Sequence, residues 1–250
     1  PINLDVAAGT DLAITIYFPQ DASELTAHSS AYATAWVQDD DQSKTNDFSS
    51  GQTFMRRVVI SGVDVHVSRK NPVIVTLGDS ITDGTRSSID TNRRWPDRLA
   101  ERLRAANKSN IGVVNAGIGG NRVLRASRSP SALARFDRDV LAVPGVSHLI
   151  VLEGVNDLGN MKREGHTVSA SDLINGYRQI IQRAQSHGIK VFLATILPYK
   201  GAGYWSEDGE RVRQNVNAWM RSQSEADRIF DFDRAIADRS RPQHMAKVYD

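Results

Sequence analysis

Val73–Leu77 (VIVTL) constrains this chain more than any other stretch. Its residues are β-branched or aliphatic and bounded by Pro72 and Gly78, which reads as a buried strand. From Pro72 onward the chain repeats a strand-then-helix pattern. A helix is expected around Trp95–Asn107, with Leu99 and Leu103 on one face, then a strand at Ile111–Asn115. A second helix, about Ser131–Leu141, leads to a strand at His148–Leu152. The longest helix, about Ser171–His187, carries Leu173, Ile174, Tyr177, Ile180, Ile181 and Ala184 at helical spacing, and Gly188 supplies its stop. Lys190–Leu197 is a fourth strand, halted by Pro198; a helix near Glu210–Ser222 precedes a fifth strand at Ile229–Phe232. Five strands alternating with helices imply right-handed crossovers and one parallel sheet covered on both faces. The expected architecture is α/β: a three-layer, flavodoxin-like α/β/α domain with a five-stranded parallel sheet.

Residues 1–70 have a different texture. Leu12–Phe18 and Val63–Val67 are strand-like runs, and between them Gln38–Gln52 is a polar loop rich in Asp, Ser, Thr and Asn. This region reads as a β-rich N-terminal extension packed against a main domain spanning 71–250. Composition narrows the function classes. The 250 residues are 40% hydrophobic and 24% charged, with a net charge of +2, so a sizeable core is available. Arginines are scattered rather than clustered, which gives no nucleic-acid footprint. No stretch approaches the roughly 18 apolar residues of a membrane span. The absence of cysteine removes disulfides, thiolate metal sites and a Cys nucleophile together. The first residue is Pro1 rather than Met, from which a removed leader and a secreted or periplasmic protein are expected, with the cytoplasm as the alternative.

In an open α/β sheet, ligands and reactive groups gather where the strands end at their carboxyl side. Three strand ends carry small or polar residues: Gly78-Asp79-Ser80, Gly117–Asn121 and Gly154-Val155-Asn156-Asp157. Acyl transfer needs a hydroxyl nucleophile and donors aimed at the oxyanion formed on attack. Ser80 can supply the first; a glycine N–H of the second loop and the Asn156 amide can supply the others. The blocks GDSITDG, NAGIGGN and GVND, in that order on successive loops, resemble the first three signature blocks of the GDSL, or SGNH, hydrolases. The resemblance covers Pro72 to about Asp233. It implies Ser80 as nucleophile, and an oxyanion hole built from the N–H groups of Ser80 and Gly120 and the Asn156 amide.

The same family closes with Asp-x-x-His shortly after the fifth strand, the histidine being the base that activates the serine. No Asp-x-x-His occurs up to Asp250, so the Asp and His of the triad are expected beyond that residue. His244 stands nearest in sequence, in surroundings that do not match the pattern. His28, His66 and His166 have no motif around them, His148 starts a strand and His187 ends a helix.

Other readings compete residue by residue. GIGGNR fails the dinucleotide pattern because Arg122 occupies the third glycine position. A metallophosphoesterase would need histidines converging on these loops. Asp79 fits a turn former or a substrate-binding group, while Asp83 and Asp157 read as turn residues. Tyr199, Tyr204 and Trp205 flank a glycine-bearing loop at the same edge and fit substrate contact or packing equally. The expectation is a cofactor-independent serine ester hydrolase for short-chain or acetyl esters, its substrate a small-molecule or carbohydrate ester. The competing expectation is a non-catalytic carbohydrate- or ligand-binding protein on the same scaffold without its base.

Overall fold

The computed structural model describes residues 4–7, 9–22, 24–45, 47, 50–159 and 165–249. Pro1, Asp250 and residues 46, 48 and 49 of the polar stretch lie outside them. The amino-terminal part holds two short antiparallel ladders. β1 (Ala27–His28) pairs with β4 (Arg57–Val58), and β2 (Ala35–Val37) pairs with β3 (Gln52–Phe54). The polar stretch forms the connection between β2 and β3, without strand or helix in its described part before Gln52, which opens β3. The runs 12–18 and 63–67 are not strands, contrary to their composition. Leu12, Ile14, Ile16, Val63 and Val65 are all exposed, and both runs border a cleft of about 530 Å³ instead of pairing with an edge. β-propensity expresses a fit to a packed, pleated surface, and here no such surface receives them.

The main sheet follows the expected alternation. β5 (Val73–Gly78) leads to α1 (Ser80–Asp83) and α2 (Trp95–Ala105); β6 (Gly112–Gly117) is followed by α3 (Ala132–Phe136). The last of these runs on into a π-helical turn at Asp137–Leu141, so the helix expected over 131–141 changes geometry halfway. β7 (Val146–Leu152), α4 (Val155–Gly159) and α5 (Ala170–Ser186) come next, then β8 (Lys190–Ala194), α6 (Glu207–Ser222), β9 (Arg228–Phe230) and α7 (Phe232–Ile236). The five strands are parallel in the order β6-β5-β7-β8-β9 and are flanked by helices, the doubly wound α/β/α arrangement.

The long helix is held by burial. Ser169 caps α5 by accepting the Asp172 N–H, while Leu173, Tyr177, Ile180, Ile181 and Ala184 form a fully buried stripe. Val75, Leu77, Leu149, Val151, Val191 and Leu193 supply the sheet side of the same core. Removing each of these larger side chains from water is worth roughly 1.5–3 kcal/mol. β8 ends earlier than Leu197 because α6 captures the backbone. Asn217 receives the Ile196 N–H on Oδ1 at 2.8 Å and returns Nδ2 to the Ile196 carbonyl at 2.8 Å.

The edge that matters is where β5 stops. Gly78 lies opposite Gly117 on β6 and Leu152 on β7, so the three loops leave the sheet at one height. α1 then settles directly on the glycines. A Cβ on Gly117 would lie 2.2 Å from the Asp83 backbone nitrogen, and one on Gly78 only 2.1 Å from Thr82 Oγ1. Because backbone cannot step aside, Gly117→Ala should cost roughly 1–3 kcal/mol as overpacking. At about 2–4 °C per kcal/mol for a chain of this size, the melting midpoint should drop by several degrees. Gly203→Ala, which meets nothing within 4 Å, is the control and should leave the midpoint in place. Equal midpoints for the two variants in a thermal melt would contradict this account of the edge.

Candidate active site

The first loop turns on Asp79. Its carboxylate caps α1 by accepting the Ile81 N–H at 2.8 Å, and Gly84, at φ 93°, closes the same helix. Ser80 therefore sits at the start of a helical turn. Its side chain is partly exposed, and among the described residues the hydroxyl forms no hydrogen bond to protein. The Asp79 side chain is only 1% exposed, which makes it the turn former and removes it as a substrate-binding group.

The second loop, from Gly117 to Asn121, folds back on the first. Ile118 N–H donates to the Gly78 carbonyl at 3.0 Å, and the chain turns through Gly120 at φ 74°. Asn121 is fully buried and its amide is committed at both ends. Oδ1 accepts from Arg135 Nε at 3.0 Å, and Nδ2 donates to Ser129 Oγ at 2.8 Å and to the Pro130 carbonyl at 2.7 Å. Neither the Ser80 N–H nor the Gly120 N–H has a protein acceptor among the described residues.

The third loop is also a helical turn, since α4 begins at Val155. Asn156 Nδ2 donates to the Asn121 carbonyl at 3.0 Å, which ties the third loop to the second beside Gly120. Asp157 makes a second tie: its oxygens accept the N–H groups of Val123 at 2.8 Å and Leu124 at 3.1 Å. It is thus a bridge between loops and not the local turn residue expected. The structure brings Ser80, Gly120 and Asn156 to one edge.

Beneath them lies a buried acidic group that composition does not reveal. Burial pushes Asp79 up to about 7, with the charge of Asp157 adding to it, and burial pushes Asp157 up to about 6. Glu153, whose oxygens have no hydrogen-bond partner, is held well above the usual carboxylate range by burial and by Asp79 and Asp157. The fully buried Arg135 guanidinium opposes these shifts in Asp79 and Glu153. Among the described residues no group of His, Asp and Glu is arranged to hold a metal ion.

The remaining candidate residues separate. Tyr199 is buried and stacks on Tyr204, ring centroids 5.8 Å apart, so packing accounts for it. Tyr204 is 42% exposed and rests against Gly159 of α4, close enough to the loops for the Asp79 charge to raise its hydroxyl, after burial itself. Trp205 lines a separate cleft against α6, with Lys200 Nζ 4.7 Å from its ring centre. His244 lies in the turn after α7, its backbone paired with Asp238 and Arg241, and makes no hydrogen bond to Ser80. His28 does have a partner that no motif announced. Its Nε2 lies 2.6 Å from Oδ1 of the buried Asp83, at the end of the helical turn that Ser80 begins.

This parallel sheet with its three loops is an SGNH-hydrolase fold. A family model, the GDSL-like Lipase/Acylhydrolase family, matches residues 76–249, and the chain belongs to that family. Among solved structures it is similar to AlinE4, an SGNH-hydrolase family esterase, at 22% identity and a TM-score of 0.52 over 68% of this chain and 80% of that one. It is also similar to a GDSL-like lipase from Bacteroides thetaiotaomicron, at 16% identity and a TM-score of 0.53 over 75% of this chain and 80% of that one. A curated relative, the uncharacterized lipoprotein YqeF of Bacillus subtilis, is 30% identical over 127 residues. That match takes in 50% of this chain and 48% of the relative, so the chain spans about half the length of that protein.

The raised carboxyls make a pH prediction whose sign is fixed. Asp79 keeps its proton up to about 7 in the fold, against about 3.9 in an unfolded chain, so unfolding releases protons in between. Its contribution to stability therefore falls as pH rises from about 4 to about 7. Asp79→Asn keeps an oxygen for the Ile81 N–H and cannot ionise. Relative to wild type, its melting midpoint should improve between pH 5 and pH 8; a midpoint difference independent of pH would refute the assignment.

Proposed function

We propose that the protein is a serine ester hydrolase that acts on short-chain or acetyl esters through an acyl-enzyme on Ser80. The observation that carries this reading is the pair of unspent N–H groups at Ser80 and Gly120, on the same edge as the partly exposed Ser80 hydroxyl and the Asn156 amide. Ser80 Oγ attacks the ester carbonyl carbon and gives its proton to a base. The carbonyl oxygen takes up negative charge and accepts from the Ser80 and Gly120 N–H groups and from Asn156 Nδ2. The tetrahedral intermediate collapses to the acyl-serine and expels the alcohol, which recovers the proton; water then repeats the sequence to release the acid. Each oxyanion donor is worth about 10²–10³ in kcat, because it meets the charge only as that charge forms.

In this reading the base is the histidine of an Asp-x-x-His segment, which the family pattern places after the fifth strand. No described histidine bonds to Ser80. The second reading is a ligand-binding protein on the same scaffold. The carbohydrate part of the substrate assignment rests on Tyr204, whose exposed ring beside α4 offers a stacking face for a sugar. Export is the location this reading favours, in keeping with the similarity to a Bacillus subtilis lipoprotein.

The decisive measurement is hydrolysis of p-nitrophenyl acetate by the full-length protein. Ser80→Ala should lower kcat by on the order of 10⁴-fold or more. Asn156→Ala should lower it about 10²-fold with KM little changed. Equal rates for wild type and Ser80→Ala would remove Ser80 from the reaction and leave the ligand-binding reading.

A further inference from the structure

We propose that Arg135 is a positioning residue, which aligns the oxyanion donors by holding the ends of β5 and β6 and, through Asn121, the Asn156 amide. Its side chain is fully buried and its guanidinium is engaged in directional hydrogen bonds. Nη2 donates to the Gly78 carbonyl at 3.0 Å, directly before Asp79 and Ser80. Nη1 donates to the Ala116 carbonyl at 2.7 Å, where the second loop leaves its strand, and to Asp139 Oδ2 at 2.9 Å. Nε donates to Asn121 Oδ1 at 3.0 Å, where that loop ends. Of these partners Asp139 alone stands outside the two strand ends and the loops that follow them, and it compensates the charge.

The relay to the third loop runs through Asn121. With Oδ1 held by Arg135 and Nδ2 held by Ser129 and Pro130, its amide has one orientation. Its backbone carbonyl, fixed by the same anchors, receives Asn156 Nδ2 at 3.0 Å. One planar fork therefore references all three proposed donors to a single rigid body. A guanidinium can do this because its donors diverge in fixed directions; an ammonium is a point charge that cannot span acceptors on two strands and a loop. A fold that needed only bulk here would place an apolar side chain, since a buried charge carries a large desolvation cost. The precision has a use in catalysis, where a donor misplaced by about 1 Å can cost 10²-fold.

The kinetic part of this inference rests on the ester-hydrolase reading of Ser80; the structural part does not. The test compares Arg135→Lys, which keeps the charge and loses the fork, with the full-length wild type. Asn121→Ser, which cuts only the relay, carries the same readouts if the lysine variant does not fold. The first readout is the Asn156 side-chain amide pair in a ¹⁵N spectrum, identified by its loss in Asn156→Asp. That pair should shift and exchange with water faster in either variant. The second is p-nitrophenyl acetate turnover, where kcat should fall roughly 10–100-fold. KM should stay within about threefold, because ground-state binding does not use the oxyanion donors. An unchanged Asn156 pair overturns the proposal, as does an unchanged kcat in a folded variant. So does a loss of turnover that merely tracks the fraction of unfolded protein. Absence of turnover in the wild type would strike the ester-hydrolase reading instead, and the spectrum would still decide the role of Arg135.

Discussion

The seat of α1 on the end of the central strand is the contact on which the rest of the site depends. Thr82 and Asp83 lie where side chains on Gly78 and Gly117 would otherwise be, so the helical turn is lowered onto the β5–β6 edge. Asn115 Nδ2 holds the Thr82 carbonyl at 2.8 Å from below, and Trp95 Nε1 reaches Thr82 Oγ1 at 3.2 Å from the side. The height of Ser80 above the sheet is thereby set by close packing on two glycines and by the Asn115 and Trp95 side chains that hold Thr82. The neighbouring loops need only match that height, and the shared register of Gly78 with Gly117 and Leu152 provides the match.

Loops that leave a sheet together expose N–H groups no ladder can satisfy, and unsatisfied buried donors cost free energy. Carboxylates answer that need here: Asp79 for Ile81, and Asp157 for Val123 and Leu124. Their concentration in one buried volume has its own consequence, since each charge disfavours the others and all are deprived of water. The outcome is a group of carboxyls that hold protons above their usual range, with Arg135 opposing the shift in Asp79 and Glu153. Among the donors left over are those at Ser80 and Gly120, which the proposed reaction assigns to the substrate oxyanion.

The periodic parts of this architecture were legible in the sequence. Val73–Leu77 and the stripe of Leu173, Tyr177, Ile180 and Ile181 announced themselves because burial repeats at fixed spacing along strand and helix. α1 and α4 did not, since turns of this length show no periodicity and their residues also suit loops. Ser80, Gly120 and Asn156 are named through the resemblance of GDSITDG, NAGIGGN and GVND, on successive strand ends, to the family's signature blocks. Asp157 looked local because its acceptor function depends on Val123 and Leu124, far away in the chain. Arg135 was equally hidden: Asp139, four residues on, is near it in sequence, and nothing marks the other three acceptors that converge on its fork. Tyr199 and Tyr204 were indistinguishable by composition, and only packing against α4 and α6 separates the buried ring from the exposed one.

The amino-terminal part shows the opposite error, apolar pattern without burial. Leu12–Phe18 alternates strand-forming residues yet finds no edge, while the residues that do attach this segment to the sheet domain are polar. Thr34 binds the Asp90 carboxylate through its backbone and hydroxyl, the Asp90 N–H returns to the Tyr32 carbonyl, and the Arg94 guanidinium holds the Ala31 carbonyl. Asp83 is the point where this attachment meets the site. It closes the helical turn begun by Ser80, its carbonyl accepts from Arg94 Nε at 2.8 Å, and its carboxylate binds His28. Anchors of this kind release by exchanging hydrogen bonds with water, not by opening a core, which places the segment at the low end of local stability. The amino-terminal segment is therefore joined at Asp83 to the helix that carries Ser80, through its carboxylate to His28 and through its carbonyl to Arg94, which holds Ala31.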